Sequence, residues 1–147
     1  MPYEATAGRV ALLRRIIGSA GSNFVIEPSF WRDYGYNITL GENFYSNHNL
    51  VILDGAPVTF GENVFIAPNC CFSTAGHPVE VDLRNKGLEY ARPIKVGNNV
   101  WIGAGVTVLP GVTIGDNVTI GAGSLVNRDI PSGSVAVGVP CKVIKEL

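Results

Sequence analysis

The chain has 147 residues, 46% of them hydrophobic, and a formal net charge of −1. One domain with a real core fits that length, and near-neutrality excludes a protein drawn to nucleic acid by long-range attraction. No apolar run could span a membrane, since the longest near the start, residues 10–17, is broken by Arg14 and Arg15.

The first readable element is "GRVALLRRIIGSAG", where Val10, Leu13, Ile16 and Ile17 fall at helical spacing and Gly18 or Gly21 can end the helix. It predicts a short N-terminal helical cap over residues 1–23. Beyond it the period changes to six. Val58-Thr59-Phe60-Gly61 and Ile94-Lys95-Val96-Gly97 keep this beat, and residues 100–123 carry it longest: Ile102, Val108, Ile114 and Ile120, preceded by Val100, Val106, Val112 and Val118. A helix repeats near 3.6 and a flat strand at 2. Six fits a short strand followed by a corner, which is the signature of a parallel β-helix. Within a hexad the pleat survives, so Val106 and Val108 point inward and Thr107 outward. Glycine and asparagine supply the corners, and a cap is expected because a solenoid's end leaves strand edges and core open.

The coil is expected over residues 24–140, with two interruptions. Residues 54–57 add two positions, and "GHPVEVDLRNKGLEYARP", residues 76–93, is polar and has no beat. Val64, Cys70 and Ile94 stay in register across that gap, so the coil continues beneath an extruded loop, a length of loop that is usually functional. One coil takes about 18 residues in three sides, so Thr107, Thr113 and Thr119 fall on different sides and no threonine column is expected. Residues 141–147 read as a short tail.

Cys70, Cys71 and Cys141 make no disulfide framework, and a reducing cytoplasm is the simplest reading. Cys71 faces outward six residues before His77, which raises a covalent acyl-enzyme; a small apolar filler explains it as well, because nothing in the sequence lowers its thiol pKa. His77 stands at the root of the extruded loop. Its residues alone leave two readings: a loop histidine satisfied by its own backbone, or a base, since imidazole is the side chain that accepts a proton near neutrality. A zinc lyase on such a coil needs several histidine ligands, and this chain has two, 29 residues apart. A non-catalytic solenoid is the remaining alternative.

Five stretches carry a resemblance: "DYGYNI" (33–38), "NFYSNHNLVILD" (43–54), "APNCCFSTAGHP" (67–78), "PIKVGNNVWIGAGVTVLPGVTIGDNVTIGAGSLVNRDIP" (93–131) and "GVPCKVI" (138–144). Together they resemble the hexapeptide-repeat acyltransferases, in particular the maltose and galactoside O-acetyltransferase group. The fold implied is all-β, a left-handed parallel β-helix with an extruded loop and a short N-terminal helix. The assembly implied is a cytoplasmic homotrimer with active sites between subunits, free of nucleic acid and membrane. The activity implied is transfer of acetyl from acetyl-CoA to a hydroxyl of a sugar or similar small acceptor, with no metal. His77 matches the catalytic histidine and is expected to act as general base in direct transfer. Asp33, Tyr45, Asn47 and Asp54 match the acceptor site, while His48 has no match. Trp101, Ala104 and Ala122 match the groove for the pantetheine arm, and Asn127, Arg128, Lys142 and Lys145 the end that meets the nucleotide phosphates. The departures are Gly55, where galactoside-type members carry a second acidic residue, and the short piece before Phe24, where members carry a longer helical segment. A trimer that binds acetyl-CoA without turnover is the alternative that these departures leave.

Overall fold

The beat of six becomes a three-sided coil: each hexad gives a strand of two to four residues and a corner, and three hexads complete a turn. A computed structural model describes residues 6–147 of the chain; residues 1–5 of the expected cap lie outside the described residues. Parallel strands stack into three faces, here named by their outward side chains. The hydroxyl face holds Ser19–Ala20, Ile38–Leu40, Val58–Phe60, Ile94–Val96 and Thr113–Ile114. The aromatic face holds Phe24–Ile26, Phe44–Ser46, Val64–Ile66, Val100–Ile102, Val118–Ile120 and Ser134–Val137. The aliphatic face holds Phe30–Arg32, Leu50–Leu53, Cys71–Ser73, Thr107–Val108 and Leu125–Val126. The chain runs aromatic, aliphatic, hydroxyl, and repeats.

Alternation decides what is inside. Val58 and Phe60, Val64 and Ile66, Val100 and Ile102, and Val106 and Val108 are buried, as the pleat requires. Phe44, Phe60 and Phe72 meet edge to face at 5.1 and 5.0 Å between ring centroids, one from each face, inside the core.

The corners explain the asparagines. Asn43, Asn63, Asn99 and Asn117 sit at φ of 56°, 54°, 55° and 54°, the left-handed region that asparagine tolerates better than branched residues. Their side chains form a ladder with Asn23, each Nδ2 donating to the next Oδ1 at 2.8 to 3.1 Å. This ladder also records the turn length. Partners lie 20 residues apart in the early turns, 36 across the extruded segment and 18 beyond it. The 36 residues are one turn of 18 with 18 more extruded from it, and the coil keeps its register beneath the insertion. The two extra residues of the early turns sit at one corner, residues 33–37 and 54–57, and the extruded segment leaves the coil at that same corner one turn later.

Both ends add structure to the sequence reading. A helix, α1 (Thr6–Ile16), lays Leu13 and Ile17 onto the open core, but the coil already begins at Ser19–Ala20, which pairs in parallel with Thr39 and Leu40. The first rung thus lies inside the segment expected to be helical cap. At Gly18 the chain passes so close to the Tyr36 carbonyl that a β-carbon would collide with it. At the other end, the short tail contains a strand, Lys142–Glu146. It folds back antiparallel on Ser134–Val137 and covers the last edge of the aromatic face. The expected loop is an arm: Ala75–Gly76 pairs antiparallel with Tyr90–Ala91, and a short helix, α2 (Val81–Asn85), closes its tip.

The outward columns also need one correction. Thr107, Thr113 and Thr119 do fall on three faces, but a hydroxyl column exists, built by Ser19, Thr39, Thr59 and Thr113 with Lys95 among them. Turns of 20 and then 36 residues hide it from a count of sixes. The aliphatic face presents Trp31, Val51, Cys71, Thr107 and Leu125 in the same way.

Candidate active site

The corner by which the chain leaves the aliphatic face stacks three of the expected site residues: Asp33, Asp54 and the root of the arm that bears His77. Asp33 is exposed in the upper turn. Asp54, one turn below, is fully buried. Its carboxylate accepts hydrogen bonds from the backbone N–H groups of Tyr34 at 2.9 Å, Gly35 at 2.6 Å and Asn37 at 3.3 Å, and its carbonyl accepts from Asn37 Nδ2 at 2.8 Å. No part of Asp54 is turned toward solvent, and its bonds shape the 33–37 corner. Below it, the buried Thr74 hydroxyl donates to the Leu53 carbonyl at 2.6 Å and accepts from Ala56 N–H at 3.0 Å. Arg92 N–H closes the arm's base on the Thr74 carbonyl at 2.9 Å.

The arm's pairing of Gly76 with Tyr90 sets His77 opposite Leu88 and Glu89. His77 Nδ1 lies 3.0 Å from the Leu88 carbonyl. A carbonyl can only accept, so Nδ1 carries the proton, and in the neutral ring Nε2 keeps the basic lone pair. That nitrogen is 3.4 Å from a Glu89 carboxylate oxygen. Asn127 and Arg128 are exposed at this same corner in the lower turns.

The remaining expected residues lie along the opposite edge, where the chain enters the aliphatic face. Asn47 is held there by its N–H on the Ile66 carbonyl at 2.9 Å, and its Oδ1 accepts from His48 N–H at 2.7 Å. The His48 ring bonds the Pro28 carbonyl through Nδ1, a stitch between successive turns. Ala104 and Ala122 stack on this corner, with Gly123 N–H on the Ala104 carbonyl at 2.8 Å. Beside them Tyr45, Phe65, Trp101 and Thr119 form the outward column of the aromatic face, with Trp101 58% exposed. An open cavity of about 670 Å³ between this column and α1 is lined by Val10, Val25, Tyr45 and Phe65 among others. Lys142 and Lys145 are exposed on the returning C-terminal strand at the lower end of the face.

Within one chain, then, the two groups do not meet. The aliphatic face lies between them. Burial raises the thiol pKa of Cys71, and of Cys70 and Cys141, above the ordinary value, so none is prepared as a nucleophile. Among the described residues no three of His, Cys, Asp and Glu gather as metal ligands, and no helix is long and apolar enough to cross a membrane. The sequence reading missed Thr74 and Glu89. Thr74 looks like one more corner residue, and Glu89 meets His77 only through a hairpin inside the stretch without a beat.

Residues 93–128 match the bacterial transferase hexapeptide family, described as six repeats. The chain is similar to the galactoside O-acetyltransferase of Escherichia coli, 52% identical over 139 residues that make up 95% of this chain and 68% of that one. Among solved structures it superimposes with a TM-score of 0.95 on a galactoside acetyltransferase in complex with coenzyme A, at 51% identity over 99% of this chain and 72% of that one. A maltose O-acetyltransferase from Clostridium difficile gives a TM-score of 0.97 at 49% identity, covering 100% of this chain and 79% of the other.

Proposed function

This chain belongs to the hexapeptide-repeat acetyltransferases of the galactoside and maltose type, with their left-handed parallel β-helix, and on that premise we propose that it acetylates a sugar hydroxyl in a cleft between two copies of a homotrimer. As an acetyltransferase of this group it draws its acetyl from acetyl-CoA, and His77 is the general base.

The observation that carries the reading is the separation of the two groups by the aliphatic face. If three copies turn that face toward a common axis, the exit corner of each meets the entry corner of its neighbour. One edge supplies His77 and Asp33; the next supplies Tyr45, Asn47, Trp101, Ala104 and Ala122. The surface chemistry supports this arrangement. The aliphatic face bears Trp31, 63% exposed, above Val51, Cys71 and Leu125, whereas the hydroxyl face is built for water. The arm carries Val79, Leu83, Leu88 and Tyr90 exposed, which a neighbour's edge would cover. Cytoplasmic residence accords with three cysteines in no disulfide.

The reaction follows from the imidazole's geometry. Nε2 takes the proton of the acceptor hydroxyl as its oxygen attacks the thioester carbonyl, forming the ester C–O bond. The C–S bond then breaks, and the imidazolium returns the proton to the leaving thiolate to give coenzyme A thiol. No covalent acyl-enzyme intervenes, in keeping with the raised Cys71 thiol. Ala104 and Ala122 leave room for the pantetheine arm along the entry corner, and Trp101 flanks it. Asn127 and Arg128 at the exit corner of one copy would join Lys142 and Lys145 of the next at the lower end, where nucleotide phosphates would need local cations.

The test is release of free thiol from acetyl-CoA with a panel of mono- and disaccharides. His77→Ala should lower kcat by roughly 10²–10⁴ and leave acetyl-CoA affinity unchanged. Unaltered turnover in that variant removes His77 from the mechanism, and coenzyme binding without turnover by the unaltered chain means a binding protein.

A further inference from the structure

The arm of this chain holds a carboxylate that neither the repeat nor the resemblance assigns. Glu89 Oε1 stands 3.4 Å from His77 Nε2, with the two side chains 64% and 52% exposed. As an ion pair so open to water it contributes little to stability. Its position matters for another reason. With Nδ1 engaged by the Leu88 carbonyl, Nε2 is the nitrogen that must receive a hydroxyl proton, and Glu89 occupies the approach to it. A neutral ring turns a lone pair toward that carboxylate, and two acceptors do not bond each other. The acceptor molecule resolves the conflict if it brings two hydroxyl donors, one for each atom.

Resting on the sugar-acetylating reading above, we infer that Glu89 is a specificity-determining residue which selects acceptors with paired hydroxyls, on neighbouring carbons or one carbon apart. One hydroxyl donates to Nε2 and is acetylated; the second donates to Glu89 and holds the first in line. Nε2 and Oε1 are spaced for two oxygens of a single sugar ring, and the hairpin fixes both, since Gly76 pairs with Tyr90 beside them. The two arginines of the arm are engaged elsewhere: the Arg84 guanidinium lies on the Val79 carbonyl and Arg92 over the Tyr90 ring. Glu89 also adds negative charge beside the base, which disfavours anionic acceptors such as uronic acids.

The experiment uses the full chain, acetyl-CoA and a methyl hexopyranoside, with analogues of that glycoside lacking one hydroxyl at a time. For the unaltered protein, one deletion abolishes transfer and deletion of a neighbouring hydroxyl raises KM about ten- to a hundredfold, as loss of a hydrogen bond to a charged group should. Glu89→Ala brings the intact glycoside to the level of that second analogue, so the two losses do not add. Glu89→Gln, which keeps an accepting oxygen, recovers part of the preference, a rescue that a merely structural role would not give. The inference is overturned if Glu89→Ala retains the full dependence on the second hydroxyl, or if it weakens every acceptor equally. Failure of the unaltered protein to acetylate any of these sugars would refute the sugar reading itself, and is distinguished by that.

Discussion

Replacing Asp54 with Asn separates a corner-forming residue from a ligand-binding one. In the structure both carboxylate oxygens are used: Oδ1 by Tyr34 N–H, Oδ2 by Gly35 and Asn37 N–H. An amide can keep the two bonds on one side by turning its oxygen there, but its NH₂ then faces the Tyr34 N–H, donor against donor. The loss is one satisfied backbone donor, about 1–3 kcal/mol, together with the weakening of two charge-assisted bonds to neutral ones. Relief from burying a charge offsets part of it. A net cost of roughly 2–4 kcal/mol should lower the midpoint of thermal unfolding by about 5–15 °C for a chain of this size. Circular dichroism measures that midpoint. At a temperature where both proteins are folded, KM for the acceptor should agree within about twofold, since uniform binding losses would appear there. An unchanged midpoint with a tenfold rise in acceptor KM would refute the reasoning and return Asp54 to the acceptor site.

Two further outcomes follow from the charges. Neutralising Lys142 and Lys145 together should weaken coenzyme A binding with little effect on folding, because both side chains are exposed on the C-terminal strand; unchanged binding by calorimetry makes them ordinary surface charges. Glu42 accepts from the Ser22 hydroxyl and from the N–H groups of Ser22 and Asn23, which hold its carboxyl below the usual carboxylate range. A lowered folded value means that its contribution is present above the unfolded value and lost as pH falls through the folded one. Glu42→Gln should therefore narrow its stability deficit as the pH of a urea titration drops below about 4; a deficit that grows in acid contradicts the linkage.

How far the letters reached can be judged at particular residues. The inward columns followed from alternation alone, because burial acts on every second residue whatever the turn length, and Val64 and Ile94 gave the register beneath the arm. Turn length followed only in part. The two positions added at 54–57 stood out, but those at 33–37 resemble ordinary strand and corner letters, and the arm separates Thr59 from Lys95 and Thr113, so the column on the hydroxyl face went unseen. The site was read as residue types more than as geometry. Asp54 and Asn47 carry side chains suited equally to turns and to sugars, and only hydrogen-bond partners divide those uses. His77 was visible at the mouth of a long polar insertion, yet Glu89, twelve residues on, faces it through a hairpin that no hexad announces.

The claim on which all this depends is that each active site takes its base from one copy and its groove from the next. Mixing two inactive variants tests it most directly. His77→Ala lacks the base, and Ala122→Trp fills the groove. Each is unfolded and refolded alone, and then the two together in equal amounts. Random assembly of closed trimers leaves about a quarter of the sites with an intact base facing an intact groove, so roughly a quarter of the original activity should return on mixing. A mixture as inactive as its parents, in trimers shown by sedimentation to be mixed, would contradict the account, because a site contained within one chain cannot be repaired by another.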